Sequence, residues 1–140
     1  MTETRSVVVE RDMPHPPEKL WRALTQPHLM AEWLMKNDFV LQLGHRFKLR
    51  GAWGGVLDCE VLEIVPHRSL SYRWDFDNED PNFALKSVVT FTLTPTDAGT
   101  RLRVEQAGFR PSQKQAFGGA LHGWTDMLGK LDQLVSDLDD

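Results

Sequence analysis

The first third of the chain changes from strand-like to helix-like spacing of its apolar residues. Residues 5–13 are rich in β-branched valine and predict a strand. Prolines within residues 14–17 end this strand. Because proline is tolerated in the first turn of a helix, a short helix is predicted to begin near Pro16. Pro27 opens a second short helix whose last apolar residue is Trp33. The pattern therefore predicts one strand followed by two short helices.

The middle of the chain alternates apolar with polar residues, which is typical of strands that bury one face. Residues 38–53 alternate around a turn at Gly44 and His45, and residues 77–82 form a polar loop. Further strands are predicted at 56–65, 69–76, 86–95 and 100–109, the last two as a hairpin. Within each strand the apolar residues share one face: Phe47 and Leu49; Leu57, Cys59 and Val61; Leu70, Tyr72, Trp74 and Phe76.

The last segment has helical spacing over its whole length. Its apolar residues recur at steps of four and three: Phe117, Leu121, Trp124, Leu128, Leu131, Val135 and Leu138. This stripe predicts a helix over about 113–138, with Ser112 and Gln115 as a capping box. The paired glycines at 118–119 disfavour a helix and suggest a bend, a close approach, or a helix that begins only near Ala120.

The predicted order is strand, two short helices, about six strands and one long helix. A sheet with one apolar face needs a cover, and the striped helix supplies it. We therefore expect an α+β fold, in which a curved antiparallel sheet of six or seven strands wraps around the C-terminal helix. The two short helices would close part of the remaining gap.

Composition narrows the class of protein. A chain of 140 residues suits a single domain spanning 1–140. The net charge of −4 argues against nucleic-acid and anionic-membrane binding, since both need a basic surface. One cysteine allows no internal disulfide, and no signal peptide or membrane-spanning stretch is evident. We expect a cytoplasmic protein, either a monomer or a homodimer.

The sequence shows no pattern that predicts a metal site, a cofactor or a catalytic residue. No two of the five histidines have zinc-ligand spacing, and most are expected to be solvated in turns or at helix starts. Cys59 lies in an apolar strand and is expected to be a buried structural thiol. Asp58 and Glu60 share the opposite face, where they are expected to pair across strands with basic residues of 46–50.

Two stretches carry a resemblance to a known family. Residues 16–34, PPEKLWRALTQPHLMAEWL, and residues 123–138, GWTDMLGKLDQLVSDL, resemble the START and birch-pollen-allergen (SRPBCC) superfamily. They are most similar to the branch related to the activator of the heat-shock-protein-90 ATPase. The resemblance implies a helix-grip fold, in which the sheet grips the long helix and leaves a cavity for an apolar small molecule. The polar loop would lie near the opening of that cavity.

The resemblance also implies where a ligand would lie. The expected cavity residues come from the second helix, the sheet and the long helix: Trp33, Tyr72, Trp74, Phe91, Phe117, Leu121, His122 and Trp124. Core packing alone explains these aromatic residues equally well. The leading hypothesis is non-enzymatic binding of an apolar or aromatic small molecule, in which Tyr72 or His122 orients the ligand. The alternatives are interaction with a chaperone, as in a stress response, and a cyclase- or hydrolase-type enzyme that uses the same cavity.

Overall fold

The computed structural model describes residues 4–52 and 54–138. The elements in chain order are β1 (Arg5–Met13), α1 (Pro17–Thr25), α2 (Pro27–Trp33), β2 (Lys36–Asn37), β3 (Arg46–Arg50), β4 (Val56–Val65), β5 (Ser69–Phe76), β6 (Leu85–Thr96), β7 (Gly99–Phe109) and α3 (Lys114–Asp137). This order confirms the predicted sequence of elements. Within the described part of the chain, no helix is long and apolar enough to cross a lipid bilayer.

The strands form one antiparallel sheet of seven strands in the order β1-β7-β6-β5-β4-β3-β2. Strands β2 to β6 each pair with the next strand along the chain, and β1 pairs with β7 to form the other edge of the sheet. Helices α1, α2 and α3 contact one another on the buried face of the sheet. The predicted α+β class and the helix-grip arrangement are confirmed.

Helix α3 is buried mainly in its C-terminal half. Its fully buried residues are Trp124, Leu128, Leu131 and Val135. The predicted stripe places Leu121 on the same face, but Leu121 is 44% exposed. Helical spacing places Ala120 and Leu121 at opposite edges of the buried face, and of the two only Ala120 packs against the core. Leu121 therefore lies at the exposed edge of the stripe.

The start of α3 differs from the prediction. A capping box with Ser112 as the N-cap is wrong, because the N-cap is Gln113 and no side chain caps the helix. The Gln113 side chain accepts the Arg110 N–H at 2.9 Å and donates to the carbonyls of Pro81 and Ala84 at 3.2 and 2.5 Å. These bonds satisfy a buried amide and attach the loop between β5 and β6 to the start of α3.

The paired glycines Gly118 and Gly119 lie inside a continuous helix, so a helix that begins near Ala120 is wrong. A Cβ atom built on either glycine would meet no atom within 4 Å. Neither glycine therefore permits a close approach to a neighbouring element. Their cost to the helix is not offset by packing.

Replacing Gly118 or Gly119 by alanine is expected to raise the free energy of unfolding by up to about 1 kcal/mol each. Alanine restricts the unfolded chain, and its methyl group has open space in the folded one. Urea unfolding with an unchanged m-value measures the effect. As a control, Gly54→Ala should destabilise the protein, since Gly54 also has open space but needs a φ of +92°. A loss of stability in Gly118→Ala would contradict the assignment of an open helical position.

His15 is an exception to the predicted solvated histidines. It is 7% exposed, and its Nε2 lies 2.9 Å from Asp132 Oδ1. The other oxygen of Asp132 pairs with Arg11 at 3.1 Å, and the His15 carbonyl accepts the Thr100 hydroxyl at 2.7 Å. The segment between β1 and α1 is thereby linked to α3 and to β7. His28 and His67 are exposed, as expected, and His122, which was expected to line the cavity, is exposed as well.

Candidate functional site

Five of the eight predicted cavity residues meet on the inner face of the sheet. Rings from α2, β5, β6 and α3 form a continuous group: Trp33, Tyr72, Trp74, Phe91 and Trp124, here called the aromatic cluster. The ring centres of Trp74 and Trp124 are 5.2 Å apart, and those of Phe91 and Trp124 are 5.7 Å apart. Phe91 also contacts Tyr72 at 5.8 Å and Trp33 at 6.2 Å. These separations fall in the range of favourable ring pairs.

Strand register explains how the sheet residues come together. Tyr72 and Trp74 are two residues apart on β5 and therefore point to the same face. Leu70 pairs with Phe91 across β5 and β6, which places the Phe91 ring diagonal to Tyr72. Trp124 then covers Trp74 and Phe91 from α3. Every ring of the cluster is 7% exposed or less, so the cluster is a packed part of the hydrophobic core.

Two of the indole N–H groups in the cluster are bound by the protein. Trp33 Nε1 donates to the Ala23 carbonyl at 2.8 Å. Trp124 Nε1 donates to Gln106 Oε1, also at 2.8 Å. Because these polar atoms are satisfied, the remaining surface of both rings is apolar. Each bond also fixes the rotation of its ring.

Gln106 and Ser87 belong to the site, although sequence reasoning did not single them out. Gln106 Nε2 donates to Ser87 Oγ at 3.0 Å, and Ser87 Oγ donates to the Trp74 carbonyl at 2.6 Å. Both side chains are buried. The alternation along β7 carries the missing signal, since Leu102 and Val104 predict that Gln106 also points inward. A polar residue at a core position needs a partner, here the tryptophan on α3.

The Tyr72 hydroxyl within the cluster and the Cys59 thiol on the neighbouring strand are both neutral at physiological pH. Burial, reinforced by the nearby Asp75 and Asp58 carboxylates, raises the pKa of the Cys59 thiol to about 12. Burial likewise raises the pKa of Tyr72 well above its ordinary value. Cys59 is 5% exposed, which is the predicted buried thiol. Neither group carries the charge of an activated nucleophile.

A cleft of about 660 Å³ lies at the end of the sheet where β5 and β6 join. Its lining residues come from the residue before β1, from β4 and β7, from both sides of the joining loop and from the segment that leads into α3: Thr4, Asp58, Asp75, Phe76, Asp77, Ala84, Leu85, Lys86, Gly108, Arg110 and Gln113. Phe76 follows Trp74 on the inner face of β5 and pairs with Leu85. Both residues also pack against the core, so the cleft borders the hydrophobic core, while none of the five rings of the aromatic cluster lines it.

The charged residues of the cleft are mostly engaged by the protein itself. Asp58 pairs with Lys48 at 2.6 Å, and Asp75 accepts the backbone N–H of Ser87 at 3.2 Å. Arg110 donates to the Pro81 carbonyl. The predicted pairing across β3 and β4 is confirmed by the Lys48–Asp58 pair and by an Arg46–Glu60 pair at 3.5 Å. The apolar part of the cleft is the surface of Phe76 and Leu85.

Three predicted cavity residues lie outside the aromatic cluster. Phe117 is half-buried and packs against Phe109, with ring centres 5.6 Å apart. Leu121 is on the exposed side of α3. The His122 side chain is 81% exposed, and its Nε2 lies 3.3 Å from Asp126. Among the described residues, no group of three potential metal ligands comes together.

The fold and the buried aromatic cluster define the chain as a helix-grip protein. It belongs to the family described as activator of Hsp90 ATPase homolog 1-like protein, whose pattern matches residues 14–136. No curated protein matches the chain.

Several solved structures are similar to this chain over most of its length. Protein MLL2253 from Mesorhizobium loti is 62% identical, with a TM-score of 0.94, and the alignment covers 97% of this chain and 100% of that one. BH1534 from Bacillus halodurans is 26% identical, with a TM-score of 0.78 and coverage of 96% and 99%. DynU16, a protein of the dynemicin biosynthetic locus, is 26% identical, with a TM-score of 0.81 and coverage of 94% of this chain and 47% of its own.

Proposed function

We propose that the protein binds an apolar or aromatic small molecule between the sheet and α3, and that the ligand gains access through the cleft. The observation that carries this proposal is the position of the cleft beside Phe76, which lies two residues after Trp74 on β5. Phe76 and Leu85 belong both to the cleft and to the packed core. A ligand in the cleft would therefore continue the stack of rings that ends at Trp74.

The energetics favour a ligand of this class. Burial of apolar surface contributes about 25 cal/mol per Å² before the costs of binding. Pockets for small molecules are typically about 300–1,000 Å³ and mostly apolar, with a few polar groups that orient the ligand. The cleft volume of about 660 Å³ falls in this range. In support, the related DynU16 comes from a biosynthetic locus.

The loop between β5 and β6 is held beside the cleft by specific contacts. Arg110 and Gln113 bind the carbonyl of Pro81, and Gln113 also binds that of Ala84. These bonds join the loop to the start of α3, so the two elements border the cleft as one unit. These contacts support the proposal that the loop at 77–83 borders the opening through which the ligand enters.

Blocking the cleft is the direct test. Ala84 is half-buried, lines the cleft and uses only its backbone to hold Gln113. Ala84→Trp should therefore fill the cleft without removing a core contact. We expect it to weaken binding of the uncharged probe N-phenylnaphthylamine at least tenfold in fluorescence titration, with about 1.4 kcal/mol lost per factor of ten.

The matched control is Ala31→Trp, the same change on the exposed side of α2. It should leave the dissociation constant of the probe unchanged. Equal affinity of the wild type and Ala84→Trp would contradict the proposed access route. An equal loss in both variants would show that added tryptophan, rather than the cleft, controls the signal.

The family description makes chaperone regulation the second candidate function. A change in the ATPase rate of a chaperone on addition of this protein would favour it. Catalysis at the same site is the third candidate. It ranks last because the buried Cys59 and Tyr72 are neutral and neither is an activated nucleophile. Small-molecule binding ranks first because a cleft of suitable volume borders the apolar core at Phe76 and Leu85.

A further inference from the structure

A small hollow at the start of α3 is surrounded by cationic side chains. Its lining residues come from the start of β1, from the segment after β7 and from the start of α3: Arg5, Arg110, Pro111, Gln113, Lys114 and Phe117. This hollow, here called the basic hollow, has a volume of about 90 Å³, and none of its lining residues is acidic. The three cations belong to separate segments of the chain, so the fold brings them together.

The three cations lack carboxylate partners. Within residues 4–52 and 54–138, no ion pair involves Arg5, Arg110 or Lys114, whereas five other lysine and arginine residues each pair with a carboxylate. Arg110 donates one N–H to the Pro81 carbonyl, and a guanidinium group has four further N–H donors. The basic hollow therefore offers positive charge and hydrogen-bond donors that the described protein does not use.

The end of the helix beside the hollow adds to this positive charge. The first backbone N–H groups of a helix have no partner within the helix and carry the positive end of its dipole. Acidic side chains stabilise such an end, but α3 has none in its first turn and no side-chain cap. Lys114 instead places a cation at the first helical position. The accumulated positive charge disfavours the folded chain unless an anion offsets it.

We propose that the basic hollow binds an oxyanion, the phosphate or carboxylate group of a small ligand. The planar guanidinium groups of Arg5 and Arg110 suit such groups, because each can donate two parallel N–H bonds to them. A cavity needs roughly 10–15 Å³ to hold one water molecule. The basic hollow, at about 90 Å³, therefore has room for one phosphate or carboxylate group.

The oxyanion has two candidate sources. Arg110 and Gln113 line both the basic hollow and the cleft, so the two spaces adjoin. The oxyanion is therefore either a free ion, such as inorganic phosphate, or the anionic end of the molecule that occupies the cleft. Only the second source rests on the proposed function. The acidic residues of the cleft do not line the basic hollow.

Titration of the full chain with inorganic phosphate, at an ionic strength held constant with sodium chloride, tests the site itself. We expect saturable shifts in the NMR signals of the backbone amides around the basic hollow. Lys114→Met should weaken phosphate binding about fivefold, the effect of one exposed charge pair. The matched control is Lys130→Met, which removes the same charge from an exposed position of the same helix. It should leave the affinity unchanged.

A variant on another segment shows whether the three cations act together. Arg5→Met leaves α3 intact and should weaken phosphate binding about as much as Lys114→Met. Full affinity in Arg5→Met would assign the binding to the helix end alone and overturn the proposed site. An absence of saturable phosphate binding to the wild type would overturn it as well.

Two fluorescent probes identify the source of the anion. N-phenylnaphthylamine is uncharged, and anilinonaphthalene sulfonate is the same molecule with one added sulfonate oxyanion. If the molecule in the cleft supplies the anion, Lys114→Met should weaken binding of the sulfonate about fivefold and leave that of the uncharged probe unchanged. If both affinities are unchanged while phosphate still binds, the ligand is a free ion. Phosphate binding without binding of either probe would overturn the proposed function and leave the basic hollow as a separate site.

Discussion

Replacement of Trp124 by alanine is expected to lower the free energy of unfolding by about 3–5 kcal/mol, the usual cost of deleting a buried large aromatic side chain. Trp124 is 1% exposed and packs against Trp74 and Phe91. Its loss would open a void between α3 and the sheet. It would also leave Gln106 Oε1 without its donor, which adds the penalty of an unsatisfied buried group. Urea unfolding monitored by circular dichroism measures the change.

Two variants on the same helix separate these contributions. Trp124→Phe retains most of the packing and should cost less, with about 1–3 kcal/mol assigned to the unpaired Gln106 oxygen. Leu121→Ala should change stability by no more than about 0.5 kcal/mol, because Leu121 is 44% exposed. A loss for Leu121→Ala as large as that for Trp124→Ala would contradict the assignment of the buried face of α3.

Replacement of Gly99 by alanine is expected to destabilise the protein by about 2–4 kcal/mol. Gly99 has a φ of +153°, at the turn between β6 and β7. A Cβ atom there would overlap the Met13 carbonyl oxygen and lie 2.7 Å from the His15 backbone nitrogen. Both are backbone atoms of the segment between β1 and α1, so relief requires that segment to move. Thermal and urea unfolding would both report the loss.

The control for Gly99 is another glycine with positive φ in open space. Gly44 has a φ of +76°, and a Cβ atom on it would meet nothing within 4 Å. Gly44→Ala should therefore cost only the conformational penalty, about 1–2 kcal/mol. If the two variants lost the same stability, the close approach of the hairpin to Met13 and His15 would contribute nothing.

The inward faces of the strands were predictable because side-chain direction along a strand is a local property. Leu57, Cys59 and Val61 alternate with polar residues, and all three are buried in the folded chain. Tyr72 and Trp74 follow the same rule. The prolines at 14–17 and Pro27 likewise determine the starts of α1 and α2, since proline is accepted in a first helical turn.

Of the candidate site, only the residues of the aromatic cluster could be predicted from the sequence. Five of the eight predicted residues meet, because each lies on the apolar face of its own element. His122 was predicted because it lies two residues before Trp124. Residues two positions apart on a helix point in directions that differ by about 200°, so the His122 side chain points to solvent. Gln106 was missed because its partner Trp124 is 18 residues away on another element.

Periodicity, turn residues and local motifs act over a few residues, so the order of the elements, their apolar faces and the family can be predicted from the chain alone. Which parts of those faces meet depends on the packing of the whole fold. This packing paired β1 with β7, set the buried side of α3, joined His15 to Asp132 across 117 positions, and placed the cleft beside Phe76 and Leu85. These features depend on contacts between distant segments, and packing of the whole chain settles them.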